Sequence, residues 1–209
     1  MTTELLLYAD RLYLSPFVMS AFVSLHEKGL QFRMPFIDLG QRAQHEPEYA
    51  SLSLNSKVPM LVHDGFALSE SSAITEYIDE VFPGTSLYPR EPRQKARARQ
   101  IQSWLRTDLM PLRRARPSTH LFSHVESVEP LTSEAQDAAQ RLFAVADQLL
   151  AGGFQLFEAW SVVDLELALM LNRLALSGDS VPDHLGQYAR RHWQRPSAQR
   201  WIQLPRASA

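Results

Sequence analysis

The chain has 209 residues, 45% of them hydrophobic, and a formal net charge of −2. That length exceeds the usual single domain of roughly 100 to 150 residues and allows a sizeable core, while the near-neutral charge argues against nucleic acid or an anionic membrane surface as the main partner. Cysteine is absent, which excludes disulfides, thiolate metal sites and a nucleophilic sulfur of the protein's own, so any thiol chemistry needs a thiol brought in.

The first residues carry no basic region, and the run Leu5-Leu6-Leu7 is far shorter than a signal-peptide core of about 7 to 15 residues. No stretch reaches the roughly 20 apolar residues of a membrane span, so a soluble, cytoplasmic protein with no membrane partner is expected. Leu5 to Tyr8 reads as a short buried strand. Pro16 to about Lys28 reads as a helix with Phe17, Val18, Ala21, Phe22 and Leu25 on one face, stopped by Gly29. Phe32, Met34 and Phe36 alternate as in a half-buried strand, and Asp38 to Lys57 reads as an irregular loop with one helical turn at most. Met60 to Val62 and Phe66 to Leu68 flank His63-Asp64-Gly65, a hairpin signal. A helix from about Glu70 to Val81 follows. The order strand, helix, strand, loop, hairpin, helix is a small mixed-sheet domain.

Pro83, Gly84, Pro89 and Pro92 mark a connector, and the rest reads as helical. Ile101, Trp104, Leu105, Leu109 and Leu112 form one stripe at helical spacing, and Leu142, Ala146, Leu149 and Leu150 another. Val162 to Leu176 is apolar nearly all round, as in the central helix of a bundle. The expected domains are 1–83, a linker 84–93, and an all-helical domain 94–209.

Three local signals carry chemistry. Ser15-Pro16-Phe17 places Ser15 at an N-cap, because Pro suits the first helical position. Free N–H groups and the positive end of the helix dipole would converge there, and a thiolate beside the hydroxyl would be stabilised. Val58-Pro59 precedes a strand; a cis bond there would leave the Val58 N–H and C=O for a ligand's backbone, an ordinary trans bond would not. Glu70-Ser71 opens a helix, where the serine and nearby N–H groups suit a carboxylate and Glu70 an ammonium group. Each signal read alone is also plain capping or strand punctuation.

In this order and spacing, the Ser-Pro-Phe helix start, the Val-Pro and the Glu-Ser pair resemble the serine-type cytosolic glutathione S-transferases. The likeness runs through Trp160-Ser161-Val162-Val163-Asp164-Leu165, where Ser161 with Asp164 reads as a capping box and Trp160 with Leu165 as a hydrophobic staple. The stretch from Ala96 to Arg113 looks closest to the bacterial YfcF subgroup. The resemblance implies an N-terminal thioredoxin-like βαβ-ββα domain that binds glutathione, followed by an all-α C-terminal bundle domain, and a homodimer. It implies that Ser15 holds the glutathione thiolate, Val58 and Pro59 the cysteinyl backbone, and Glu70 with Ser71 the γ-glutamyl end. Gln44 stands where serine-type relatives often carry a lysine for the glycyl carboxylate, and Lys57 is a substitute. Tyr8 and Tyr13 are other candidates for thiol activation, or packing residues. Tyr13, Trp104, Met110 and Arg113 would contact the electrophile.

The implied activity is conjugation of glutathione to a hydrophobic electrophile, with peroxidase activity toward organic hydroperoxides, in detoxification and oxidative-stress defence. A non-catalytic binding or assembly module and a glutathione-dependent disulfide reductase are the alternatives. Positions 90–116 hold nine Lys or Arg against two acids, a solvated helix face or a funnel for anions. His120 and His124 have the spacing of a metal pair but lack a third ligand, so no metal is expected.

Overall fold

The computed structural model describes residues 4–123, 128–151 and 153–206. Within these the chain divides into two units: residues up to Leu87 together with those from Arg200 onward, and Tyr88–Gln199. The last described residues group with the first unit.

The first unit is a four-stranded sheet of order β2-β1-β3-β4 with two long helices. Strand β1 (Leu5–Asp10) is extended by two residues beyond its apolar run. Helix α1 (Pro16–Glu27) ends at Gly29, whose φ of 68° is the left-handed conformation that glycine adopts without Cβ strain. The alternation Phe32-Met34-Phe36 yields only two ladder residues in β2 (Phe36–Ile37), with an isolated bridge at Arg33. The segment does run beside β1, through Leu7 N–H to Arg33 C=O and Ala9 N–H to Pro35 C=O, but Pro35 has no N–H to return. The following loop holds a 3-10 turn (Ala43–His45) and a single helical turn, α2 (Pro47–Ala50).

Strands β3 (Met60–His63) and β4 (Phe66–Ser69) form the expected hairpin. Asp64 (φ 48°) and Gly65 (φ 86°) supply the paired positive φ values of a two-residue turn. Helix α3 (Ser71–Val81) packs beside α1. Its C-terminal carbonyls at Asp79 and Phe82 accept from the buried ammonium of Lys28, which is also ion-paired with Asp79 at 2.8 Å. Phe22 on α1 is edge-on to Trp201, so the returning C-terminal segment covers that helix.

The second unit is helical: α4 (Pro92–Thr107), α5 (Met110–Ala115), α6 (Thr119–Phe122), α7 (Ser133–Leu150), α8 (Val162–Ala175) and α9 (Asp183–Trp193), with α10 (Pro196–Ile202) beginning in it. The apolar stripe read as continuous from Ile101 to Leu112 is broken between α4 and α5. Pro111 has no N–H to continue the ladder, so Leu109 and Leu112 reach the core from a second axis. Helix α8 is buried on every side from Val162 to Leu174 and packs against α4, α6 and α9. Its capping box is formed: the fully buried Asp164 carboxylate accepts from the Ser161 N–H at 2.9 Å and also from the Leu156 N–H and the Tyr188 hydroxyl. The Trp160 ring lies under the Arg195 guanidinium, 4.0 Å from centroid. Among the described residues, no helix is long and apolar enough to cross a membrane.

Candidate functional site

Sheet topology decides which sequence signals meet. Strand β3 is antiparallel to both β1 and β4, with Tyr8 opposite Met60 and Met60 opposite Ser69. The C-terminal ends of β1 and β4 and the N-terminal end of β3 therefore share one edge. Ser15 follows the first, Glu70 and Ser71 the second, and Val58-Pro59 precedes the third. Strand β2 runs parallel to β1, so the loop with Gln44 and Lys57 leaves from this edge as well.

Ser15 is half-buried at the N-cap of α1, and its Oγ accepts the Val18 N–H at 3.3 Å. Among the described residues, the hydroxyl's own proton has no acceptor, which leaves it for an outside one. The backbone amides at this helix end are less free than capping alone implies. The buried carboxylate of Asp10 accepts the Leu14 N–H at 2.7 Å and the Ser15 N–H at 3.1 Å. Asp10 thereby fixes the loop between β1 and α1, where Tyr13 takes a positive φ of 52°. Arg206 closes the loop from the C-terminal side, donating to the Tyr13 carbonyl at 3.3 Å and to the Trp201 carbonyl at 3.0 Å. Burial pulls the Arg206 pKa down and the Asp10 charge supports its ionised form.

The Val58-Pro59 bond is cis. Among the described residues, no hydrogen bond ties the Val58 N–H or C=O to the rest of the chain. Lys57 is fixed through its backbone: its N–H reaches Asn55 Oδ1 at 3.1 Å and its carbonyl accepts from the Tyr49 hydroxyl at 2.7 Å. Burial first, and the neighbouring Tyr8 last, push the Tyr49 phenol up to about 12.

Glu70 lies outside α3, at its N-cap, with φ 70° and ψ 112°. That conformation costs a non-glycine residue on the order of 1–3 kcal/mol and persists only where neighbours enforce it. Asn55 Nδ2 holds the exposed carboxylate, donating to Oε1 at 2.5 Å. The hydroxyls of Ser53 and Ser69 are 3.3 Å apart behind it. Ser71 is buried at the start of α3, where the first N–H groups have no intrahelical partner. Gln44 sits in the 3-10 turn with Oε1 buried and without a donor among the described residues.

The other sequence candidates have different surroundings. Tyr8 packs edge-on to Tyr49, 5.4 Å between centroids, in a cluster with Met60 and Val62. Tyr13 is edge-on to Trp201 at 5.8 Å. Trp104, Met110 and Arg113 belong to the helical unit: Trp104 is half-buried, Met110 is exposed and Arg113 donates to the Leu105 carbonyl at 2.5 Å. His120 bonds Ser177 through Nδ1 at 2.9 Å, and His124 lies outside the described residues. Among the described residues, no group of three or more His, Cys, Asp or Glu side chains could hold a metal. Sequence reasoning missed Asp10, Asn55 and Arg206. An acidic residue five positions before a predicted N-cap was the one available signal, and only for Asp10.

The edge thus offers a hydroxyl donor, an open backbone strand and a helix start beside a carboxylate, complementary to a thiol, a peptide unit and an amino-acid head group. Comparison with known proteins gives the family. Residues 14–81 match the glutathione S-transferase N-terminal domain model and residues 91–207 the C-terminal domain model. Protein LigF of Sphingobium sp. SYK-6 is 38% identical over 84 residues, which is 39% of this chain and 33% of that protein. Glutathione S-transferase 1 of Dianthus caryophyllus is 29% identical over 130 residues, 62% of this chain and 58% of that protein. The chain therefore spans a third to somewhat over half the length of these two relatives. A crystal structure of a glutathione transferase homologue from Burkholderia gl BGR1, with bound glutathione, is 41% identical, covers 95% of this chain and 96% of its own, and superposes with a TM-score of 0.78. The LigF β-etherase structure, at 22% identity and TM-score 0.76, shares the fold. With both domain models matched in order and a relative of this identity along almost its whole length, the chain belongs to the glutathione S-transferase family.

Proposed function

We propose that this protein is a serine-type glutathione transferase of the YfcF kind. The single observation that carries the reading is the Ser15 hydroxyl, fixed at the N-cap of α1 with its proton unspent, at the same sheet edge as the open Val58 backbone. Ser15 donates to the glutathione thiolate. The thiol proton passes to solvent, and the α1 dipole favours the charge left behind. Val58 N–H and C=O pair with the cysteinyl backbone, Pro59 holding the strand end open. Glu70 takes the γ-glutamyl ammonium, and Ser71 with the first amides of α3 takes its carboxylate. Gln44 offers its orphaned Oε1 to a ligand N–H, and Lys57 supplies a cation toward the glycyl carboxylate.

The thiolate attacks an electrophilic carbon, forming the S–C bond as the leaving group departs with its electron pair. With an organic hydroperoxide it attacks the terminal oxygen: the O–O bond breaks, the alkoxide takes a proton, and a second glutathione converts the sulfenic acid to disulfide and water. The protein contributes position and electrostatics in either case. Such an activity is the basis of a role in detoxification and oxidative-stress defence in the cytoplasm. Two copies pair, so light scattering should give twice the chain mass of 23.8 kDa; a monomer at micromolar concentration would refute the pairing.

The deciding experiment is an ultraviolet titration of bound glutathione across pH, on the wild type and Ser15→Ala. Thiolate should form at least about two pH units below the free thiol, equivalent to about 2.7 kcal/mol, and the shift should be lost in Ser15→Ala. Binding without thiolate would mark a binding module. Thiolate surviving Ser15→Ala would move the role to another donor, and absence of binding would overturn the site.

A further inference from the structure

Residues 200–206 belong to the first unit and lie along α1 like a strap. Arg200 Nη1 is 3.5 Å from His26 Nδ1 in the last turn of that helix. The fully buried Trp201 is edge-on to Phe22 in its middle, 5.3 Å between centroids, and to Tyr13 before its start, at 5.8 Å. The strap ends on Arg206, whose guanidinium is held by carbonyl groups. Its Nη1 donates to Ile202 at 2.7 Å and to Leu204 at 3.2 Å, and its Nη2 donates to Trp201 at 3.0 Å. Nη2 also donates to the Tyr13 carbonyl at 3.3 Å, outside the strap, in the loop that leads to Ser15.

The Tyr13 carbonyl and the Leu14 N–H are the two ends of one peptide group. Its oxygen accepts from the Arg206 cation, and its N–H donates to the buried Asp10 carboxylate at 2.7 Å. The two charges polarise the peptide in the same sense, so each bond strengthens the other. Turning this peptide over would aim its carbonyl at Asp10 and its N–H at Arg206, an unfavourable pairing at both ends. Such a lock matters here because Tyr13 has a φ of 52°, a left-handed conformation that a non-glycine residue keeps only where its surroundings impose it. The next amide, Ser15 N–H, bonds the other Asp10 oxygen at 3.1 Å, so the orientation of the Tyr13–Leu14 peptide sets how the chain enters the N-cap of α1. Asp10 also carries a cost, since an anion beside Ser15 opposes a second negative charge there, and a cation across the same peptide offsets it.

We propose that Arg206 is a positioning residue of the transferase reaction, which locks the Tyr13–Leu14 peptide between itself and Asp10 and thereby aims the Ser15 hydroxyl at the glutathione sulfur. The role in catalysis rests on the transferase reading; the lock itself does not. Arg206 acts through the peptide and not by contact with the substrate. Burial lowers the Arg206 pKa and the Asp10 charge works against that loss, as the two ends of one polarised peptide require.

In Arg206→Met the ultraviolet midpoint of thiolate formation by bound glutathione should rise by about one pH unit, a tenfold change in the ionisation constant. With chlorodinitrobenzene, kcat/KM should fall about tenfold below the wild-type midpoint and return to within about twofold of the wild type near about pH 9, where the thiol ionises in both. KM for glutathione should change less than about threefold, since Val58, Glu70 and Ser71 are untouched. Arg11→Gln removes an exposed cation of the same loop, one paired with Asp38, and should leave the midpoint in place. An equal shift in that control, an unshifted midpoint in folded Arg206→Met, or a loss of activity that is the same at every pH overturns the positioning role. Combined with Asp10→Asn, the shift should not exceed the larger single shift, because both changes act on one peptide; additive shifts would overturn the lock. The lock is also read without glutathione: the Leu14 and Ser15 N–H groups should exchange with deuterium at least about tenfold faster in Arg206→Met. Arg206→Gln, which keeps an amide donor for the α10 carbonyls, takes the same tests if Arg206→Met does not fold. A wild type that forms no bound thiolate would strike the transferase reading, and Leu14 exchange would still decide the lock, which unchanged exchange overturns.

Discussion

Gln44 shows how a single atom separates stability from binding. A buried acceptor without a donor costs roughly 1–3 kcal/mol, because its water is removed and nothing replaces it. Gln44→Met keeps the volume and removes the orphan. It should raise unfolding stability by about 1 kcal/mol in urea denaturation and weaken glutathione about tenfold by calorimetry. A variant that is less stable and binds equally well would mean that the oxygen is not waiting for a ligand. Glu70 illustrates the same tension in the backbone, where an unfavourable φ is held beside a carboxylate fixed by Asn55.

At the scale of elements, the connection from β1 to α1 positions Ser15. Asp10 ends the strand and accepts two amides from the far side of the loop, and Arg206 grips the Tyr13 carbonyl between them. Asp10→Asn retains one acceptor oxygen and turns an N–H donor toward the second amide. It should destabilise the protein by about 1–3 kcal/mol and reduce the bound thiolate fraction through a displaced Ser15. Unchanged urea midpoint and thiolate absorbance would show that the loop holds itself. The elements also show where local pattern fails. The alternation around Phe32–Phe36 and the stripe through Leu109 and Leu112 have the correct periods, yet Pro35 and Pro111 interrupt both ladders. A proline in each run was visible, and its missing N–H carried more weight than the period.

For the molecule as a whole, His192, which is buried, and the half-buried His26 and His120 are expected to lower stability in acid. Burial is the largest cause lowering His26, His120 and His192; at His192 it outweighs Asp164, 3.9 Å away. The unfolded chain takes up protons near pH 6.5 that the folded chain refuses, so stability falls as pH drops below about 6.5 and is fully present above it. His192 alone should contribute up to about 1.4 kcal/mol per pH unit over that range. Urea midpoints should fall between about pH 7 and 5.5, and His192→Gln should flatten the slope. An unchanged slope in that variant would assign the acid limit to other groups.

What the sequence determined by itself is whatever depends on neighbours a few residues apart. The Ser15 cap, the Asp64-Gly65 turn, the Ser161–Asp164 box and the largely apolar, buried α8 follow from chemistry within a few turns of chain, and all are in the structure. The tertiary structure alone decided what depends on distant partners. Asp10 with Arg206 joins residues 196 positions apart in sequence (206 − 10), Asn55 meets Glu70 across the loop, and Arg173 of α8 meets the Arg116 carbonyl. A guanidinium or carboxylate reads the same in sequence whether solvated or buried. Its surroundings, and hence its chemistry, exist only once the chain has brought the partners together.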